Sequence, residues 1–319
     1  MPNPAIAALI AQVSADRITE TLRYLCKDPL PYRKLNYTLP GHEKCTLHEA
    51  DDYIAGQLEA SGYTVEREAI PAQAFRCDET KPKAHQYSAP MPEDPWYTTY
   101  NLHARKIGRS HPDEIIVIMA HKDSQSWVDS PGAYDNGVGT TAVIEMARLL
   151  AGYENERTLW FLFCNEEHVP WTSANAAENA MARGENVIAA FNIDSLGGKS
   201  QADLDAGVKT NATLYTVPEG KWLADLMPAV VEDYGLALAQ TVTQREYPND
   251  DDGSFVKAGY LSAIITVGSF PYGNPDYHLE SDTFENVDIE NVWLATQASL
   301  AAILTVDIDG KLGTQNAER

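Results

Sequence analysis

A chain of 319 residues, 44% hydrophobic and 22% charged, has the make-up of an ordinary globular protein and is long enough for one large α/β domain or two small ones. Its formal net charge of −22 argues against nucleic-acid backbones and anionic membrane surfaces as main partners. The four cysteines, Cys26, Cys45, Cys77 and Cys164, show neither a CxxC pair nor zinc-ribbon spacing, so no cysteine-based metal site is expected.

The opening MPNPAIAALIAQ lacks a basic segment ahead of an apolar core and does not read as a signal peptide. No run is expected to reach the length of a transmembrane helix. A soluble, cytoplasmic protein is therefore expected, or an exported one if a leader was removed. Residues 5–25 have helical periodicity and lead into DPLPYRKLNYTLPG, a loop by its prolines, so 1–40 read as an N-terminal helix and loop packed on the rest. HEADDYIAGQLEASGYTVERE predicts an amphipathic helix through Leu58, a stop at Gly62 and then a strand. PMPEDPWYTTYNLHARKIG turns from irregular to extended. DEIIVIMAHKDS is the continuous apolar run of a buried strand, and NGVGTTAVIEMARLLAG is a helix. TLWFLFC, NVIAAFNIDSLGG and ATLYTV predict three more strands, and Cys164 in the first of them should be a buried thiol. KWLADLMPAVVEDYG is helical, LSAIITVGSF a strand, and ENVWLATQASLAAILTVDI a closing helix. A disulfide among Cys26, Cys45 and Cys77 is left open.

Strands alternating with helices give an α/β fold class. The expectation is a single domain over 1–319, a three-layer α/β/α sandwich around a mostly parallel, mixed central sheet. Active sites in such sheets gather beyond the carboxyl ends of the strands. There the sequence places His121 and Asp123, Glu166 and Glu167, Asp194 and His278, with Asp135 just ahead of a helix. Singly, each has an ordinary explanation: a lone His after a strand is usually hydrogen-bonded or on the surface, and Asp135 alone would be a helix cap. Together, two His and three or four carboxylates at one sheet edge form the ligand set of a two-metal hydrolytic site, whose ions stand roughly 3.5–4 Å apart and share a carboxylate. The adjacent pair in NEEHV is the least ordinary feature. A regular strand would aim Glu166 and Glu167 to opposite faces, so the chain is expected to leave its pleat after Asn165.

The order HKD…PGAYDNGVG…NEE…NIDSLGG…YHLESDT resembles the co-catalytic di-zinc aminopeptidases, the group that includes bacterial leucyl aminopeptidases, over roughly residues 41–306. The resemblance implies that His121 and Asp194 hold one zinc, that Glu167 and His278 hold a second, and that Asp135 bridges them. It further implies Asp123 orienting His121, Glu166 as general base, a tyrosine at 277 that stabilises the oxyanion or merely packs beside the site, and a cis Asp135–Asn136 peptide. The implied cofactors are two divalent ions, most simply zinc, and the implied partner is a peptide losing its amino-terminal residue. Two departures stand out. HVPWTS replaces the Gly-rich turn after the Glu pair, which makes His168 a tempting extra ligand and Trp171 either a pocket wall or core. DDGSF carries Asp252 where the family has His. A glutaminyl cyclase with one zinc is the nearest rival reading, followed by a same-clan carboxypeptidase and a non-catalytic receptor-like relative. Oligomeric state is not legible.

Overall fold

The computed structural model describes residues 2–311. Helices α1 (Pro4–Ile10), α2 (Ala15–Cys26) and α3 (Thr46–Ala60) precede strand β1 (Val65–Ala74). A small hairpin, β2 (Arg76–Cys77) with β3 (Tyr87–Ser88), leads to β4 (Tyr97–Lys106) and β5 (His111–His121). Next come α4 (Val138–Ala151), β6 (Arg157–Cys164), β7 (His168–Val169), α5 (Thr172–Ala182), β8 (Asn186–Ile193), α6 (Gln201–Asp205) and β9 (Thr210–Tyr215). The chain continues through α7 (Lys221–Asp233), β10 (Ala239–Gln244), α8 (Asp250–Ala258), β11 (Ala263–Val267) and α9 (Ile289–Asp309).

Nine strands form one sheet in the order β10-β9-β11-β8-β5-β6-β4-β1-β7. The central run β11, β8, β5, β6 is parallel, as expected, and so is β9 with β10. The flanks are more mixed than the sequence suggested, because β9 meets β11, β4 meets β6, and β1 meets β4 and β7 antiparallel. Helices cover both faces. In β5, Ile116, Ile118 and Ala120 pack into one cluster with residues of α4 and α9, while Ile115, Val117 and Met119 pack into another with α5 and α8. Burial on both faces is why the strand reads as an unbroken apolar run.

Two expectations change. The 5–25 periodicity is divided between α1 and α2, because Ser14 breaks the helix and caps α2, its Oγ accepting from Arg17 N. And α9 does have the length and composition to cross a membrane, with 21 residues and a mean hydropathy of 1.2, contrary to the expectation that no run would. Here 78% of its apolar window is buried against the sheet and neighbouring helices, so it is a core helix that is apolar all round. Cys164 is buried as expected, and all four cysteines are free thiols.

The loop between α2 and α3 does more than connect. Arg33 is wholly buried, its Nε donating to Lys122 O, Nη1 to Leu25 O and Pro131 O, and Nη2 to Gly132 O. The guanidinium thereby ties the end of β5 to the loop that enters α4. Gly132 in that loop has φ +58, and a Cβ there would lie 2.5 Å from Asp135 O, so no other residue fits. Arg33→Met should cost at least about 3 kcal/mol, because several buried carbonyls lose a charged donor together. Urea unfolding measures this, and Arg33→Lys should not restore it, since one ammonium cannot reproduce the planar fork.

Candidate metal centre

His121 is the last residue of β5, and Asp194 follows the last residue of β8. His121 Nε2 lies 3.1 Å from Asp135 Oδ1 and 3.7 Å from Asp194 Oδ1. His278 comes in from the loop after β11, its Nε2 lying 3.1 Å from Asp135 Oδ2 and 3.3 Å from Glu167 Oε1. The two trios, His121–Asp135–Asp194 and Asp135–Glu167–His278, are each buried and compact enough to hold a metal ion. They share Asp135 through opposite oxygens. Donor atoms at about 2.0–2.2 Å around a tetrahedral zinc lie about 3.4 Å from one another, close to the imidazole–carboxylate distances of 3.1–3.7 Å in the two trios.

Charge points the same way. Burial alone would lower the proton affinity of His278, yet Glu167 and Asp135 push it up to about 10. Burial likewise opposes the charged form of His121, but Asp194, Asp123 and Asp135 hold it well above the ordinary histidine range. The field at both imidazole tips favours a cation.

The loops that carry these groups are locked to one another. The Asp135–Asn136 peptide is cis. Asn136 Nδ2 donates to Ile193 O, and its Oδ1 accepts from Gly139 N and Ser195 N, which joins the Asp135 loop to the Asp194 loop. Asp282 accepts from Tyr134 N and Asp135 N at 2.8 and 3.1 Å; burial and the Asp135 charge push its carboxyl up to about 7, against those two donors.

NEEHV resolves around Asp123. Its Oδ1 accepts from Glu166 N at 3.0 Å and its Oδ2 from Glu167 N at 2.8 Å, so β6 ends at Cys164 and the chain curls over this carboxylate. Asp123 also faces His121 Nδ1 at 3.3 Å and His168 Nδ1 at 2.8 Å. His168 Nε2 accepts from Leu35 N, so His168 buttresses Asp123 and belongs to neither donor trio. Burial would raise Asp123, but the two imidazoles hold it well below the usual carboxylate range.

Glu167 is buried in its trio, whereas Glu166 is half-buried and lines a cleft of about 640 Å³ together with Asp135, Asp194, Trp171, Tyr277 and His278. Burial, Asp251 and Asp250 raise the proton affinity of Glu166 well above that of an ordinary glutamate. Tyr277 stacks on His278 with ring centroids 3.7 Å apart. Leu214, Ile265 and Val267, from β9 and β11, give the cleft an apolar floor. Trp171 is thus a wall. Asp252 is fully buried and bonded to Arg245, which also pairs with Asp250 at 2.5 Å, so the residue standing where the resemblance expects His does not line the cleft but holds an arginine that does.

The profile of peptidase family M28 matches residues 101–303, well over half of the chain and every residue of both trios. The chain belongs to peptidase family M28. Among curated M28-like relatives, a probable aminopeptidase of Saccharomyces cerevisiae is 26% identical over 218 residues, 64% of this chain and 56% of that protein. The chain therefore spans little more than half of that relative's length. Among solved structures, an aminopeptidase from Aneurinibacillus sp. strain AM-1 superposes with a TM-score of 0.70 at 14% identity, covering 95% of this chain and 96% of that one. A glutaminyl cyclase from Bacteroides thetaiotaomicron superposes with a TM-score of 0.67 at 17% identity, covering 92% and 98%. At these identities the structures establish the fold alone, which that aminopeptidase and that cyclase share.

Several residues that line or brace this site were not foreseen from sequence, namely Gln125, Arg245, Asp250 and Asp282, and neither was the way Asn136 joins two loops. Asp250 lies in an acidic run that resembles solvated surface, and a buried amide such as Gln125 carries no compositional signal at all.

Proposed function

We propose that this M28 chain is a metal-dependent aminopeptidase that uses two divalent ions, zinc by donor chemistry, with Glu166 as general base. One observation carries the reading: two imidazole–carboxylate trios share Asp135 through its two oxygens, while Glu166 stands outside both and faces the cleft. Two neutral imidazoles and three carboxylates suit two zinc ions, whose four positive charges they largely offset. When bound, the ions would polarise the scissile carbonyl and acidify water.

The chain's own groups do the rest. Asp123 holds the His121 ring so that Nε2 faces its trio, and the Ala84 carbonyl does the same for His278 through Nδ1. Glu166 takes the proton of the attacking water and delivers it to the leaving amine. The Tyr277 hydroxyl, in the cleft wall, donates to the carbonyl oxygen as it gains charge. The side chain of the first substrate residue lies on Leu214, Ile265 and Val267, so an apolar residue is preferred. The free α-amine is held by cleft carboxylates, which makes the enzyme an exopeptidase.

The test is a substrate panel with metal analysis. Aminoacyl anilides with apolar side chains should be hydrolysed, chelation should abolish the activity, and Zn²⁺ or Co²⁺ should restore it with two ions per chain. Release of ammonia from N-terminal glutaminyl peptides, with one ion per chain at saturating zinc, would replace this reading by the cyclase one.

A further inference from the structure

Beside the Asp135–Glu167–His278 trio lies a residue that is neither charged nor a metal ligand. Gln125 is fully buried, and its Nε2 lies 3.0 Å from Asp135 Oδ2, 3.0 Å from Glu167 Oε1 and 3.1 Å from Asp135 O. Those two side-chain oxygens are the ones facing His278. We propose that Gln125 is a positioning residue for one ion of the pair: its amide pre-sets the Asp135–Glu167–His278 trio and leaves the His121–Asp135–Asp194 trio to its own ligands. The inference rests on the two-ion reading above.

The backbone around Gln125 is fixed before its side chain is considered. Ser124 exchanges two bonds with Arg33, Ser124 N donating to Arg33 O and Arg33 N to Ser124 Oγ, both at 3.0 Å. Ser126 is held on the other side, its carbonyl accepting from Asn36 Nδ2 and its Oγ from Phe75 N. The side chain between these clamps therefore reaches the carboxylates from a rigid base. Its amide orientation is set by electrostatics, because the alternative would aim an oxygen at two anionic oxygens. That orientation leaves Gln125 Oε1 buried with no hydrogen-bond partner among the described residues, so the amide is placed for its nitrogen alone.

The residue type suits the task. Each carboxylate oxygen has two lone pairs, one for the amide N–H and one for an ion. An uncharged donor holds two mutually repelling oxygens at ligand spacing without adding positive charge. Lys or Arg at the same point would neutralise the trio and compete with a dication, and Ser or Thr would be too short. With Gln125 in place, every member of this trio is buttressed from outside: Glu167 also by Asp123 through its backbone N–H, and His278 by Ala84 O. The other trio has the longer His121–Asp123 contact of 3.3 Å, and a bond from Ser195 Oγ to its neighbour Asp194.

Gln125→Leu and Gln125→Met keep the volume and remove both donors; the second is the fallback should the branched side chain disturb folding. Metal-free protein is titrated with Zn²⁺ against a chromogenic chelator, and with Co²⁺ while its visible spectrum is followed. Affinity for one ion should fall about 10–100-fold, the usual scale for a lost buttress, with the other within about twofold and one of the two Co²⁺ spectra altered. Asp194→Asn should weaken the opposite ion, and the double variant both. Equal weakening of the two ions, or no weakening of either, overturns the proposal. If the wild type takes up one ion only, the two-ion reading fails on the wild type itself. A 10–100-fold loss of that ion in Gln125→Leu still upholds the positioning role, and an unchanged affinity removes it.

Discussion

Glu166→Gln is expected to lower kcat by roughly 10²–10⁴-fold, the range for a lost general base, while metal content and KM stay near wild type. Four features bear on this residue and its neighbour. Glu166 belongs to neither donor trio, whereas Glu167 lies 3.3 Å from His278 Nε2. The two backbone N–H groups are pinned to the two oxygens of Asp123, so the side chains leave a curled segment and are not forced to opposite faces. Glu166 Oε2 is buried with no hydrogen-bond partner among the described residues, so one oxygen of the proposed base is uncommitted. Burial and the nearby Asp251 and Asp250 raise its proton affinity, as a group that must hold a proton between attack and departure requires. Glutamine keeps the shape and the Asp123 contact, which is made by backbone, and removes only the proton chemistry. Glu167→Gln, by contrast, should release one ion and lose activity for that reason. Metal analysis beside steady-state kinetics separates the two; equal metal loss in both variants, or near-normal turnover in Glu166→Gln, would show the pair to be assigned wrongly.

How much of this is legible in the sequence depends on what kind of force places a residue. The central strands are visible because burial on both faces leaves an unbroken apolar signature, as in β5 and β6. Three donors, His121, Glu167 and Asp194, are visible because they sit where such a run breaks into polar residues, and only a few chemistries need His and carboxylates at one sheet edge. What holds the donors is far less visible. His168 looks like a ligand by position and is instead a brace, a distinction that depends on Leu35, 133 residues away in sequence, donating to its Nε2. Asp252 looks like a lost site residue and is instead the partner of Arg245, a residue with no mark in its local pattern. Helix α8 begins with Asn-Asp-Asp-Asp-Gly-Ser, turn-like by composition; Gly253 is there because a Cβ would lie 2.8 Å from the Pro248 backbone. Helix α5 draws its buried face from Ala176, Ala177 and Ala180, too small to give an apolar stripe that periodicity would catch. Strand β10 is a half-exposed sheet edge of Thr and Gln, with little hydrophobic alternation to betray it.

Asp135→Ala should cost the protein both ions, and with them all measurable activity, whereas Asp194→Ala or Glu167→Ala should leave one ion in place. The reason is geometric. Asp135 Oδ1 lies 3.1 Å from the tip of His121 and Oδ2 lies 3.1 Å from the tip of His278, so one carboxylate completes both trios. Without it each site keeps one imidazole and one carboxylate, too few to hold zinc at ordinary concentrations. The backbone should survive the change, because the bonds fixing this loop run from Tyr134 N and Asp135 N to Asp282 and involve no atom of the Asp135 side chain. Stability distinguishes this outcome from misfolding. In the metal-free protein burial opposes the Asp135 charge, but the imidazoles of His121 and His278 hold its carboxyl well below the usual carboxylate range. Removing it costs those two buried pairings, so metal-free Asp135→Ala should melt somewhat lower than metal-free wild type while keeping a single cooperative transition. Added zinc should then raise Tm in the wild type through binding to the folded state and leave the variant's Tm almost unchanged. Zinc content after gel filtration and paired melts with and without zinc measure both effects. A variant that still retains one tightly bound ion would mean that the two sites do not depend on a shared carboxylate.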